Sequence, residues 1–232
     1  LPPININQDN YSVEMMKSSN PTEAGTPHST LGDYINHENV FVRLASLWLI
    51  LMSLFMVVWY VSFYLLPEGL LRSTNTSRLL PEYAGSVWAE FLMIFTINVA
   101  GCVVIAAFNT LRSIRTPAGY IIVTSVWIQG AITWGTNSLA IEAGRLAPSL
   151  SVLLNRGGIF ELTAYVAVAV ATRELVIWHQ QSGPRWREDF ERLYSPRDWH
   201  LSRSEWVVLA AGLLLLGAAN FREAFMISQV VG

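Results

Sequence analysis

The sequence predicts an all-α, polytopic integral membrane protein with five transmembrane helices. Of the 232 residues, 52% are hydrophobic and only 14% are charged, whereas soluble domains are roughly 25% charged. Five apolar runs each reach the length of about 20 residues that a helix needs to cross the hydrocarbon core of a bilayer. Arginine and lysine are also distributed unevenly among the connections between these runs, as they are in polytopic membrane proteins.

The five runs span residues 41–66, 87–108, 119–141, 157–178 and 206–227. Inside lipid the main chain must satisfy its own hydrogen bonds, so each run is predicted to be a helix. The third run is the most polar, because it is rich in Ser, Thr and Gly. Pro117 and Gly119 mark its start and Glu142 its end. A buried helix of a soluble core is the alternative for this run.

The charge bias predicts the orientation of the spans. Residues 1–40 form a polar segment that is expected to be a flexible cytoplasmic tail, and residues 41–232 form the five-helix domain. Nine basic residues fall on the side of this tail: Lys17, Arg43, Arg112, Arg115, Arg185, Arg187, Arg192, Arg197 and Arg203. Four fall on the other side: Arg72, Arg78, Arg145 and Arg156. The excess places the N-terminus in the cytoplasm, in a prokaryotic plasma or internal membrane.

The connection at 179–205 is predicted to be amphipathic and cytoplasmic. Three large apolar residues recur at helical spacing between charged ones: Trp186, Phe190 and Leu193. A Gly-Pro pair ahead of them and Pro196 after them are positioned to begin and end a short helix. The pattern indicates a helix that lies on the inner leaflet, with a solvated connector as the alternative.

The sequence contains no recognisable catalytic, cofactor-binding or metal-binding motif. We find no phosphate-binding loop, dinucleotide fingerprint or zinc spacing, and all four histidines lie outside the predicted spans. No basic run suggests a nucleic-acid partner. We therefore expect a protein that is not an enzyme and has no cofactor, and whose partners are the lipid bilayer and other membrane proteins or further copies of itself.

Ionisable residues within the spans are the strongest functional signal, because such residues are costly in lipid and tend to face protein or a water-filled cavity. Glu90, Glu161 and Arg222 are each predicted to lie about one helical turn from the same membrane face. We expect Glu161 to lie within direct or water-bridged ion-pair distance of Arg222, with Glu90 or Glu223 as the competing partner. Separate snorkelling of Glu161 and Arg222 to the surface is the alternative.

Three stretches resemble the stage II sporulation protein M family: "LLNRGGIFELTAYVAVAVAT", "IFTINVAGCVVIAAFNTLRSIRTPAGYIIVTSVWIQGAITWG" and "LLLLGAANFREAFMI". Gly157 and Glu161 match the glycine and glutamate that open a transmembrane helix in that family. The resemblance covers about 87–228. Asn155 and Arg156 stand where that family has Pro-His, and Gln129 stands where it has Asn before Gly130.

The resemblance implies a polytopic membrane protein without known catalytic residues. The sporulation member of the family anchors cell-wall hydrolases, and relatives occur in organisms that form no spores. The first functional expectation is thus a non-catalytic scaffold or accessory subunit of a larger membrane complex. The alternative is the membrane subunit of a transporter similar to the ABC-2 type that works with a separate ATPase. A pigment-binding subunit is a third reading, disfavoured by the lack of histidine within the spans.

Overall fold

The computed structural model describes residues 30–72, 84–113, 115–138, 145–155, 158–180 and 190–231. Seven α-helices lie in these ranges: α1 (Leu31–Ile35), α2 (Val40–Leu65), α3 (Val87–Phe108), α4 (Gly119–Gly135), α5 (Leu150–Asn155), α6 (Gly158–Ala171) and α7 (Arg203–Val231). Four short strands lie in the loops: β1 (Leu111–Ser113), β2 (Thr116–Pro117), β3 (Trp178–Gln180) and β4 (Glu191–Arg192). The coarse prediction of a helical membrane protein is confirmed by this mostly helical architecture, together with the three membrane-length helices described next.

Three of these helices, α2, α3 and α7, are long and apolar enough to cross a membrane. They match the first, second and fifth predicted spans, and α3 matches to the residue. The other two runs form shorter helices, with 17 residues in α4 and 14 in α6. A helix of 14 residues is only about 21 Å long, which is less than the roughly 30 Å of a hydrocarbon core. The fourth run is shortened because its last residues turn and enter β3.

Helix α6 lies at the centre of the bundle and packs against α2, α3, α4 and α7. Every residue from Ala164 to Ala171 is buried, and a helix that is apolar on all sides is expected in such a position. The closest approach is to α7, at Gly212. A Cβ atom at this position would lie 2.8 Å from the Cβ atom of Ala167, so only glycine allows the two helices to meet there.

The five main helices of the bundle run in alternating directions: α2, α3, α4, α6 and α7. The Arg43 guanidinium near the start of α2 binds Glu205 near the start of α7, and it also binds the main-chain oxygen of Val170 at the end of α6. Asn109, which caps the end of α3, donates to the main-chain oxygen of Ala169. The starts of α2 and α7 therefore meet the ends of α3 and α6 at one end of the bundle, here called the sheet end.

The four strands form a small sheet at this end, in the order β2-β1-β3-β4. Strand β1 is antiparallel to β2 and parallel to β3, which is antiparallel to β4. The sheet thus links the segments that leave α3 and α6. The helix predicted for the 179–205 connection is wrong in its described part, because Glu191 and Arg192 pair with β3 and Pro196–Asp198 forms a 3-10 turn. Trp186 lies outside the described residues.

The first 29 residues also lie outside the described part of the chain, so the predicted tail remains a prediction there. Residues 31–35 form the short helix α1, which is attached to the β1–β2 loop through an ion pair of 2.9 Å between Asp33 and Arg115. Main-chain and side-chain hydrogen bonds from Thr30, and then the charge of Arg115, hold the pKa of Asp33 below its ordinary value of 3.8.

Four aromatic rings form the core between α2 and α4. The ring centroid of Phe55 lies 5.8 Å from that of Trp59, 6.0 Å from that of Trp127 and 5.8 Å from that of Trp134. All three pairs are arranged edge to face. Such pairs contribute beyond their burial of apolar area. Gly135 allows the close approach of the two helices, since a Cβ atom there would lie 3.0 Å from the main-chain oxygen of Trp59.

Candidate functional site

Polar side chains from α3, α6 and α7 meet inside the bundle. We call them the polar cluster, and it consists of Asn98, Glu161, Tyr165, Asn220 and Glu223. The Asn98 amide nitrogen donates to Glu161 Oε1 at 3.3 Å and to Asn220 Oδ1 at 3.0 Å. The Tyr165 hydroxyl donates to Asn98 Oδ1 at 2.7 Å. Asn98 therefore joins the three helices through a single side chain.

Helical spacing explains why these residues share one location. Glu161 and Tyr165 lie four residues apart on α6, and Asn220 and Glu223 lie three residues apart on α7. Residues at these spacings are neighbours on one helical face. Helices α6 and α7 therefore each present two polar groups on the face where they meet α3.

The carboxyl groups of Glu161 and Glu223 lie close enough inside the bundle to interact with each other. Glu90 lies near enough to interact electrostatically with Glu223. Three acidic side chains thus converge on this region.

The direct ion pair predicted between Glu161 and Arg222 is not formed in the described part of the chain. Arg222 Nη2 instead donates to the main-chain oxygen of Asn155 at 2.6 Å. Glu90 is buried, and its Oε2 accepts from the main-chain nitrogen of Ala84 at 2.9 Å. Of the four residues singled out in the sequence, the structure brings Glu161 and Glu223 together, with Glu90 nearby, and turns Arg222 to another partner.

One hydrogen-bond donor of the polar cluster has no acceptor. Asn220 is fully buried, and its amide nitrogen makes no hydrogen bond within the described part of the chain. An unsatisfied buried amide costs stability unless a water or another acceptor reaches it. The cluster is therefore not completely satisfied by the atoms of the described residues.

A second buried polar contact, which the sequence did not predict, lies at the sheet end. Arg43 Nη2 lies 2.7 Å from Glu205 Oε1, and both side chains are almost fully buried. The second terminal nitrogen of the guanidinium, Nη1, donates to the main-chain oxygens of His37 and Glu38, each at 2.9 Å. In the sequence pattern Arg43 is only one of the basic residues that flank the spans.

Part of this contact is visible in the sequence as a capping pattern. Ser202 and Glu205 have the Ser-x-x-Glu spacing of a capping box. In the structure the Ser202 main-chain nitrogen donates to Glu205 Oε2 at 2.9 Å, and the Glu205 nitrogen donates to Ser202 Oγ at 3.3 Å. The motif predicts the start of α7. It does not predict that the remaining carboxylate oxygen binds an arginine from another helix.

Two cavities lie outside the polar cluster. An apolar groove of about 540 Å³ runs between α2, α6 and α7. A second cavity, of about 470 Å³, lies near the sheet end, beside Trp199, His200 and Trp206. Residues of the polar cluster line neither of them. Within the described ranges, no group of three or more His, Cys, Asp or Glu residues is placed to hold a metal ion.

Comparisons with known proteins place the chain in no group. No protein-family model, no curated protein and no solved structure gives a significant match to it.

Proposed function

We propose that this chain is a non-catalytic scaffold or accessory subunit of a larger membrane protein complex. The observation that carries the proposal is the way in which the polar side chains inside the bundle are used. Asn98, Glu161, Tyr165 and Asn220 are joined by hydrogen bonds across three helices. A transport path requires such groups to face an open, water-filled space, whereas a scaffold uses them to hold its helices together.

The same proposal includes five membrane spans with a cytoplasmic N-terminus. The alternating directions of α2, α3, α4, α6 and α7 support it, as does the excess of basic residues on the side of the tail. In this arrangement the sheet end faces the cytoplasm of a prokaryotic cell. Membership of the stage II sporulation protein M family is part of the proposal and rests on the stretches that resemble it.

A transporter subunit of the ABC-2-like kind is the second candidate. One observation favours it: the carboxyl groups of Glu161 and Glu223 lie close together inside the bundle, and proton-binding carboxyl groups within spans occur in transport pathways. In that case the pair would act on a solute path, with energy supplied by a separate ATPase.

Substitution of Glu161 separates the two candidates. The tagged chain would be purified in mild detergent at natural abundance, and the amount of co-purifying partner per chain would be measured for each variant. Glutamine keeps a side-chain oxygen that can accept from Asn98, so Glu161→Gln is expected to leave assembly at the wild-type level. Glu161→Ala removes this acceptor and is expected to lower assembly. Glu191→Ala, an exposed change on β4, is the control and should have no effect.

The transporter candidate predicts a different result. Glu161→Gln would then leave assembly intact but abolish solute flux in proteoliposomes that contain the ATPase. A wild-type chain that migrates without any partner in mild detergent would contradict the scaffold proposal.

A further inference from the structure

The apolar groove between α2, α6 and α7 is open to the outside of the bundle. Phe41 and Leu49 of α2 and Val207 of α7 form its rims and are more than half exposed. Its floor contains small side chains, among them Ala167 and Gly212. Trp48 lines one wall and is held in place by a hydrogen bond of 2.9 Å from its indole nitrogen to Thr163 Oγ1. The groove is therefore a preformed, fixed feature of the surface.

The groove begins at the sheet end and runs toward the middle of the bundle. Phe41 is the second residue of α2, and Val207 is the fifth residue of α7. Both helices are long and apolar enough to cross a membrane, so their first turns lie near the headgroups and the following turns lie among acyl chains. Trp206, which is exposed at the same level, is a residue type enriched at such interfaces.

The size of the groove favours a slender occupant. Its volume of about 540 Å³ is that of a small-molecule site, for which roughly 300–1,000 Å³ is usual. A transmembrane helix is about 10 Å wide with its side chains, whereas a single acyl chain is slender enough to lie along small side chains such as those of Ala167 and Gly212.

A positive charge lies at the headgroup end of the groove. Arg203 is one helical turn before Val207, and residues at this spacing are neighbours on the helix surface. Its side chain is exposed and makes no hydrogen bond or ion pair within the part of the chain that the structure describes. The carboxylate in the same turn, Glu205, is buried and bound to Arg43, so it does not compete for this guanidinium.

We propose that this groove is a binding site for an anionic phospholipid, with an acyl chain against Trp48 and Ala211 and the phosphate-bearing headgroup at Arg203. The apolar floor binds the acyl chain of the lipid, and the free guanidinium of Arg203 favours a headgroup with negative charge. The inference does not depend on the scaffold proposal, because a transporter subunit would present the same groove.

The test measures binding of two lipids that differ only in the headgroup. The whole chain in mild detergent is titrated with phosphatidylglycerol or with phosphatidylcholine of the same acyl chains, and the bound fractions are read by native mass spectrometry. Because one arginine near a headgroup contributes a modest electrostatic attraction, wild-type protein should prefer phosphatidylglycerol about fivefold.

Two pairs of variants then test the two halves of the site. Arg203→Ala should remove the preference while keeping phosphatidylcholine binding, and Arg197→Ala, which removes an exposed arginine away from the groove, should leave the preference unchanged. Ala211→Phe fills the groove and should lower the binding of both lipids. Ala210→Phe alters an exposed neighbour that does not line the groove, and it should bind both lipids as the wild type does.

Three results would overturn the proposal. Equal affinity of the wild-type chain for the two lipids would remove the assigned role of the charge, and so would an unchanged preference in Arg203→Ala. Wild-type lipid binding by Ala211→Phe, with an unchanged midpoint of thermal unfolding, would show that the groove is not where the acyl chain binds.

Discussion

Replacing Arg43 by methionine should strongly destabilise the bundle, because the guanidinium joins three segments at the sheet end. It binds the Glu205 carboxylate at 2.7 Å and the main-chain oxygen of Val170 at 3.2 Å, and it also binds two main-chain oxygens ahead of α2. Its side chain is 2% exposed and that of Glu205 is 7% exposed. Removing one partner of a buried ion pair costs about 3–5 kcal/mol, because the other charge remains buried without compensation.

The partner substitution, Glu205→Gln, should cost less. Glutamine keeps an oxygen for Arg43 and, like glutamate, can complete a capping box with Ser202. What is lost is the charge of the acceptor, and hydrogen bonds to charged groups contribute about 1.5–3 kcal/mol. In the double variant Arg43→Met with Glu205→Gln, no uncompensated charge remains. Its loss of unfolding free energy should therefore be smaller than the sum of the two single losses by about 1 kcal/mol or more.

The free energy of unfolding can be measured in mixed micelles by titration with a denaturing detergent, using tryptophan fluorescence as the signal. Arg197→Met is the matched control, since it removes an exposed arginine and should change the free energy by less than about 0.5 kcal/mol. Losses that add within about 0.5 kcal/mol in the double variant would refute coupling between the two side chains. A value for Arg43→Met equal to that of the control would refute the assigned role of the buried pair.

Three further outcomes are expected. Gly135→Ala should lower stability by about 1–3 kcal/mol through overpacking, because its Cβ atom would meet the main chain of α2, whereas Gly130→Ala, with its nearest neighbour at 3.5 Å, should be neutral or stabilising in the same unfolding assay. The ion pair of Asp33 with Arg115 should persist above pH 3.8 and be lost as the pH falls through the lowered pKa of Asp33, which amide exchange of α1 would report as a loss of protection in acid and which Asp33→Asn would mimic at neutral pH. For topology, Cys102 is buried and gives little background, so a cysteine at Leu70 should react with an impermeant reagent added to intact cells and one at Glu191 should not; the opposite pattern would reverse the orientation.

The sequence predicted the helices well where hydropathy alone decides. Residues 87–108 form a helix with the predicted ends, and Ser86 caps it by accepting from the main-chain nitrogen of Ala89. Hydropathy failed at residues 172–178, since the run of Leu, Val, Ile and Trp at 175–178 is equally apolar in a helix and in the extended segment that enters β3 at Trp178. The pairing of β3 with β1 fixes its conformation, and that pairing joins residues about 67 positions apart, which no local pattern reveals.

The contact between Arg43 and Glu205 at the sheet end could not be predicted from the sequence, for a related reason. An arginine in the first turn of an apolar helix has the same pattern whether it extends to the headgroups or turns inward. Arg43 turns inward because the main-chain oxygen of Val170, at the end of α6, and the carboxylate of Glu205 lie within its reach. Both acceptors belong to helices more than 100 positions away in the chain, so only the packing of the bundle identifies them.

The choice of partner for Glu161 shows why depth in the membrane is an incomplete guide to contacts. Arg222 and Glu223 lie at nearly the same depth, but consecutive residues of a helix point about 100° apart, so only one of them can face α6. Asn220 lies three residues before Glu223 and therefore on its face, and its bond to Asn98 turns that face inward. Arg222 is left to bind Asn155. The contact between α6 and α7 thus brings two carboxyl groups together, whereas the ion pair suggested by depth would have joined a carboxylate to a guanidinium.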